Sequence, residues 1–144
     1  MPKNIKRLRQ ARRATKKLKR LLPTRKVMVA KLDALCSVIV RIRDKKAFGG
    51  TCPLCIMRPI QVCFHLMRRG MYSTRWDLDN LIGTCAPCNF RHERFPEYAT
   101  RWFIAMRGAP AYEALCKKSH SLAKFDISDL VQLKLELEIK LADQ

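Results

Sequence analysis

Apolar residues along this chain repeat with different periods in different stretches. In residues 27–43, Met28, Leu32, Leu35, Ile39 and Ile42 recur at alternating steps of four and three, and Val29, Cys36 and Val40 widen the stripe. That spacing predicts an amphipathic helix with one face for a core, in which Cys36 packs as a small apolar side chain. Upstream, Ile5, Leu8, Leu18, Leu21 and Leu22 are too few to bury against anything large, so residues 1–26 read as a basic helix ending at Pro23. Gly49-Gly50 then breaks the chain. Residues 51–94 look irregular, with short strands around Ile60–His65 and near Thr74–Trp76 and a helix beginning just after Cys85. Pro96 suits the first turn of a helix through Tyr98, Trp102, Phe103 and Met106 that stops at Gly108. A short helix follows over Ala109 to Ser119, and Asp126 or Ser128 caps a last one reaching Leu141. In that last segment Leu133, Leu135, Leu137, Ile139 and Leu141 alternate as in a strand, but the spaced pairs Lys134/Glu138 and Glu136/Lys140 favour helix. The expected class is α+β and mostly helical: one domain over residues 27–144 with an arm of residues 1–26.

Charge changes this picture. The 144 residues carry 30 Lys and Arg against 12 Asp and Glu, a formal net charge of +18. Residues 1–26 hold twelve of those cations, Arg12, Arg13, Lys16 and Lys17 among them, and no acid. Such an arm is expected to become ordered on a polyanion and to bind nucleic acid; a solubilising tail or localisation signal is the plainer alternative. No apolar run reaches the roughly 18 residues of a membrane span, so no membrane partner is expected. The N-terminus lacks the apolar stretch of a secretory signal, which points to the cytoplasm and to reduced cysteines.

Four of the seven cysteines stand in two pairs, Cys52-Pro-Leu-Cys55 and Cys85-Ala-Pro-Cys88. Thiolates at this spacing can share one ion, and four complete a tetrahedral Zn²⁺ shell with no open position, a structural site. A redox C-x2-C is the rival, but there are two pairs and no βαβ pattern around either. Cys63 is a fifth candidate without a spaced partner, and Cys116 falls in a helix and reads as packing.

Between the pairs lies a run that metal binding leaves unexplained. His65-x3-Arg69-Gly70, Arg75-Trp76-Asp77-x2-Asn80 and Cys85-x2-Cys88-Asn89 follow the first C-x2-C in order. The sequence of His65, Asn80 and Asn89 resembles the His-Asn-His/Asn (HNH) ββα-metal nuclease motif. More narrowly, the whole pattern is similar to the NinG (Rap) phage recombination endonucleases over roughly residues 35–118, the helix ending in Arg43-Asp44 included. The resemblance implies a treble-clef-type ββα centre and a phage-encoded, metal-dependent endonuclease acting on branched DNA, which would place it in the host cytoplasm. It implies that His65 is the general base, that Asn80 holds the His-bearing strand, and that Asn89 ligates a catalytic Mg²⁺ or Mn²⁺. His92, one turn beyond Asn89, is a second candidate ligand or phosphate contact. One position departs from the family: many HNH enzymes carry a metal-binding Asp or His directly before the catalytic His, and here that residue is Phe64. Asp77 and Asp79 are the nearest carboxylates in sequence to replace it.

From Cys52 to Cys116 every cation is arginine. Guanidinium forks hold phosphate in a fixed geometry, so Arg69 and Arg75 are assigned to orienting the phosphate and the arm to affinity. Trp76 and Trp102 read as core, with base stacking by Trp76 as the alternative, and nothing singles out His120. The alternative to a nuclease is a non-catalytic zinc-finger DNA- or RNA-binding accessory protein.

Overall fold

A computed structural model describes residues 3–144, apart from the side chains at positions 3, 4 and 19. Its elements are α1 (Lys3–Leu21), α2 (Arg25–Ala47), β1 (Val62–His65), the single turn α3 (Tyr72–Arg75), β2 (Leu81–Thr84), α4 (Ala86–Arg94), α5 (Pro96–Arg107), α6 (Ala109–Ser119) and α7 (Ile127–Ala142). The chain is mostly helical around one small sheet, the α+β class that the pattern predicts. No helix among the described residues is long and apolar enough to cross a membrane.

Pro23 separates α1 from α2, and Thr24 caps the second helix by accepting the Val27 N–H at 3.3 Å. Arg25 and Lys26, grouped with the arm by charge, thus form the first turn of α2. Of the predicted stripe, Met28, Leu32 and Ile39 are buried together with the flanking Cys36 and Val40, while Leu35 and Val29 are half-buried and Ile42 is exposed. The buried face packs against α7, where Leu130 and Leu137 are buried while Leu135 and Ile139 are exposed. That seven-residue interval settles the strand-or-helix ambiguity. A capping box reinforces it: Asp126 accepts the Asp129 N–H at 2.9 Å and Asp129 accepts the Asp126 N–H at 2.8 Å.

β1 and β2 pair antiparallel, Val62 with Thr84, Cys63 with Gly83, Phe64 with Ile82 and His65 with Leu81. The strand expected near Thr74–Trp76 is instead a helical turn, and the partner of β1 lies at Leu81–Thr84. The backbone of Thr74 is satisfied locally. Its N–H donates to Met71 O at 3.1 Å, and its carbonyl accepts from Asp77 N–H at 3.2 Å. Nothing is left for a ladder.

The two faces of the ribbon serve two cores, as alternation along a strand requires. Phe64 and Ile82 join Leu54, Leu66, Ala99, Phe103 and Leu115 under α5 and α6. Leu81 joins Trp76 and the apolar faces of α2 and α7. Gly83 lets α2 lie directly on β2, since a Cβ there would come within 3.1 Å of Asp44 Cβ. Asp44, 3% exposed, accepts the Gly83 N–H at 2.6 Å and two guanidinium bonds from Arg43 at 2.6 and 3.1 Å. Arg43 donates on to Leu78 O at 2.9 Å and Leu81 O at 2.8 Å. This satisfied ion pair clamps the end of α2 to the ribbon that carries the site.

Candidate functional site

The two cysteine pairs meet. Cys52 and Cys55 sit in a tight turn closed by the Cys52 N–H on Arg58 O at 2.7 Å and the Ile56 N–H on Cys52 O at 2.9 Å. Cys85 is the N-cap of α4 and Cys88 lies in its first turn. The four sulfurs all lie within 4.8 Å of one another, and Cys55 Sγ is 3.8 Å from Cys85 Sγ. A tetrahedron with metal–sulfur bonds of about 2.3 Å has an edge of about 3.8 Å. A disulfide needs about 2.0 Å, and every cysteine is free. Backbone N–H groups of Met57 and Arg58 pull the Cys55 thiol down to about 6. Burial pushes Cys52 and Cys88 up, so gathering them as thiolates calls for a cation. The residues therefore form a cluster able to hold a metal ion such as zinc. Cys63, the fifth candidate, lies outside it on β1, and burial pushes its thiol to about 12. Cys36 is likewise pushed to about 12 by burial and packs against Trp76 O at 3.9 Å. Both are neutral packing residues.

Along the free edge of β1 runs a cavity of about 680 Å³. It brings together His65, from the end of β1, with Asn89 and His92 from α4, three residues singled out from the sequence. Arg68 and Arg69 also line it, as do Glu93 and His120, which sequence reasoning did not select. Glu93 stands one turn beyond Asn89 on α4, a spacing that could have drawn attention to it.

His65 Nε2 lies 2.9 Å from the carbonyl oxygen of Arg75. A carbonyl only accepts, so Nε2 carries the proton and Nδ1 is the basic nitrogen. Burial, then the positive charge of Arg69, holds the imidazole pKa below its ordinary value of 6.5. A neutral base is the result. Burial lowers His92 in the same way. Its ring packs 4.6 Å from that of Phe64, and its Nδ1 is buried with no partner among the described residues.

Asn80 is fully buried, 0% exposed, beneath this turn. Its Oδ1 accepts the Met67 N–H at 2.6 Å, and its Nδ2 donates to Met67 O at 3.1 Å and to Thr74 O at 3.0 Å. Its carbonyl takes the Leu66 N–H at 2.9 Å. One side chain thus ties the segment just after His65 to the segment that supplies the Arg75 carbonyl.

Two expected placements differ, that of Arg75 and that of the pair Asp77 and Asp79, while Trp76 stands in the core as expected. Arg75 does not present its fork to the cavity: Nε and Nη2 bind the two oxygens of Asp33 at 3.0 and 2.7 Å, and its plane lies near Tyr72 and Trp76. Trp76, 5% exposed, donates to the same carboxylate at 2.9 Å and belongs to the core, not to a stacking surface. Burial pushes the Asp33 carboxyl up, but the bonds from Arg75 and Trp76 outweigh it and leave its pKa below the ordinary 3.8. Asp33 escaped notice, although it is the only acid before Asp44. Asp77 and Asp79 face a separate cavity, where they pair with Lys118 at 2.5 Å and Arg107 at 2.7 Å. Neither lines the cavity that holds His65.

Arg69 is exposed at the cavity rim, and Arg12, Arg13, Lys16 and Lys17 are exposed on α1. Arg13, Lys16, Lys17 and Arg20 line one shallow cleft of that helix. Residues 1 and 2 of the arm lie outside the described residues. Compared with known protein families, with curated proteins and with solved structures, the chain matches none.

Proposed function

We propose that this protein is a metal-dependent endonuclease of the HNH ββα type, acting on branched DNA of the kind that arises in phage recombination, with Zn²⁺ at the four-cysteine cluster. One observation carries the reading: His65 has its Nε2 proton committed to the Arg75 carbonyl, which leaves Nδ1 as base in a cavity shared with Asn89, Glu93 and Arg69. What goes beyond a satisfied structural histidine is the company it keeps in that cavity, the oxygen atoms of Asn89 and Glu93 and the guanidinium of Arg69.

In this reading Zn²⁺ fixes the Cys52–Cys55 turn to the start of α4 and takes no part in the reaction, since four thiolates leave it no open position. Mg²⁺ or Mn²⁺, held by the carbonyl oxygen of Asn89 and the carboxylate of Glu93, would neutralise charge on the phosphate and the departing oxygen. His65 Nδ1 takes a proton from water as its oxygen attacks phosphorus. Asn80 keeps the imidazole aligned through the backbone bonds described above. Arg69 orients the phosphate at the rim, and the cations of α1 supply affinity without sequence preference. Arg75 acts one step back, as the mount of Asp33, Trp76 and the carbonyl that fixes His65.

A second reading has its own support. Phe64, where many HNH enzymes carry a metal-binding Asp or His, is 2% exposed and packs its ring at a tilt against His92. A protein that kept the fold for binding alone would look similar there. Incubation of the purified protein with junction, flap and linear duplex DNA, with and without Mg²⁺ or Mn²⁺, separates the two. Metal-dependent strand scission that favours branched substrates supports the nuclease. Tight binding without scission under every metal supports the accessory protein.

A further inference from the structure

The chain has three histidines, far apart in sequence, and all three line the same cavity. His65 and His92 are accounted for above; His120 is not. It stands at the C-cap of α6, an element outside the ββα unit. Its Nδ1 lies 2.8 Å from the carbonyl oxygen of Cys116. By the argument used for His65, Nδ1 carries the proton and Nε2 is the nitrogen left for a ligand. The two imidazoles are therefore held alike, each by a backbone carbonyl, with opposite ring nitrogens remaining: Nδ1 of His65 and Nε2 of His120.

They also share a mount. The segment Tyr72–Asp77 supplies the Arg75 carbonyl to His65, and it holds the end of α6 through Ser73 Oγ, which donates to Ser119 O at 3.1 Å, and Asp77 Oδ2, which accepts from Lys118 Nζ at 2.5 Å. Ser119, 5% exposed, fills the interior below and anchors His120 at the rim. The bond to Cys116 O is a local one at a helix end, but the link through Tyr72–Asp77 to a second histidine lining the same cavity is not local.

We infer that His120 is a second catalytic residue, the general acid that protonates the leaving 3′ oxygen of a phosphodiester. This rests on the nuclease reading and extends it. A water oxygen forms the new bond to phosphorus while its proton passes to His65 Nδ1. The bond from phosphorus to O3′ breaks, and O3′ receives the Nε2 proton of the His120 imidazolium. One proton is taken and one is given, so the two histidines end with exchanged protonation states and reset through solvent. Phosphoryl transfer between an oriented base and an oriented acid needs no further reactant.

The test compares two substrates under single-turnover conditions: a branched DNA with an ordinary scissile phosphodiester, and the same DNA with sulfur replacing the bridging 3′ oxygen. A thiolate leaves without being protonated. His120→Ala should slow cleavage of the ordinary substrate by roughly 10²–10⁴-fold and cleave the sulfur substrate at close to the wild-type rate. His65→Ala should be slow on both, because the attack still needs its base. Equal losses for His120→Ala on both substrates, or a loss restored by raising Mn²⁺, would make His120 a positioning residue or a metal ligand and overturn the assignment. An unchanged rate on the ordinary substrate overturns it as well. Thermal unfolding of His120→Ala close to that of wild type shows that the comparison concerns chemistry. Wild-type protein that cuts neither substrate would sink the nuclease reading itself and this assignment with it, an outcome distinct from the others.

Discussion

Replacing Asn80 by alanine should cost about 3 kcal/mol of stability, and the structure says where that cost arises. The side chain is 0% exposed and makes three hydrogen bonds, to Met67 N–H, Met67 O and Thr74 O. The three are not equal. Thr74 O keeps the Asp77 N–H at 3.2 Å after the substitution, so it is not orphaned. Met67 N–H and Met67 O each lose their Asn80 partner, at roughly 1–3 kcal/mol for a buried unsatisfied group. Met67 lies at the edge of the cavity and water can reach part of it, which favours the lower half of that range. A small void adds a fraction more. For a domain of this size about 3 kcal/mol lowers the melting temperature by roughly 10 °C. Asn80→Asp should be no better, since it keeps the acceptor for Met67 N–H but sets a carboxylate oxygen against two carbonyls. Thermal and urea unfolding of the metal-loaded proteins measure both. Melting of Asn80→Ala within 2 °C of wild type would show that the turn after His65 does not depend on this side chain.

The metal cluster, the arm and the Cys52–Cys55 turn each give a further expectation. Cys88→Ser should lose the bound metal and cooperative folding together, because a four-thiolate site contributes on the order of 10 kcal/mol, comparable to the whole stability of a domain; Cys36→Ser should keep the metal, and atomic absorption with circular dichroism reads both. Ile56 has φ of 56°, a left-handed conformation costly for a β-branched residue. Ile56→Gly should therefore stabilise the protein by about 0.5–1 kcal/mol net of glycine's greater unfolded entropy, with metal content unchanged; a lower urea midpoint would contradict it. Deleting residues 1–22 should flatten the logarithmic salt dependence of DNA binding by roughly 3–4, if the four cations sharing one cleft of α1 each meet a phosphate at about 0.9 per contact. Fluorescence anisotropy across a salt series measures the slope.

The elements written in local pattern were legible in the sequence, and those made by distant partners were not. The α2 stripe and the paired cysteines depend on spacing alone, and both stand where the spacing put them except at the end of the stripe, where Ile42 is exposed. Leu81-Ile-Gly-Thr84 shows no alternation because β2 is buried on both sides, and Thr74-Arg75-Trp76 carries strand-forming residues in a turn closed by its own backbone. Arg75 looked free because its partner, Asp33, is 42 residues away on α2. Asp77 and Asp79 are near His65 in sequence, yet the 3-10 turn before β2 points them at α5 and α6. His120 reaches the cavity only because α6 folds back onto Tyr72–Asp77, a contact with no signature in sequence.

The central claim, that a neutral His65 is the base of a metal-dependent nuclease, is tested most directly by the pH dependence of single-turnover cleavage of junction DNA by wild type and His65→Ala. Burial and Arg69 depress the His65 pKa, so the neutral, active form persists below the ordinary value. The acid limb of wild-type cleavage should therefore rise with pH through a midpoint below 6.5, with any fall at higher pH belonging to the general acid. His65→Ala should be slower by roughly 10²–10⁴-fold, without that rising limb, while binding junctions and metal as wild type does. Wild-type protein that binds junctions but cuts none with any divalent metal, or His65→Ala that cuts with the wild-type rate and profile, would contradict the claim.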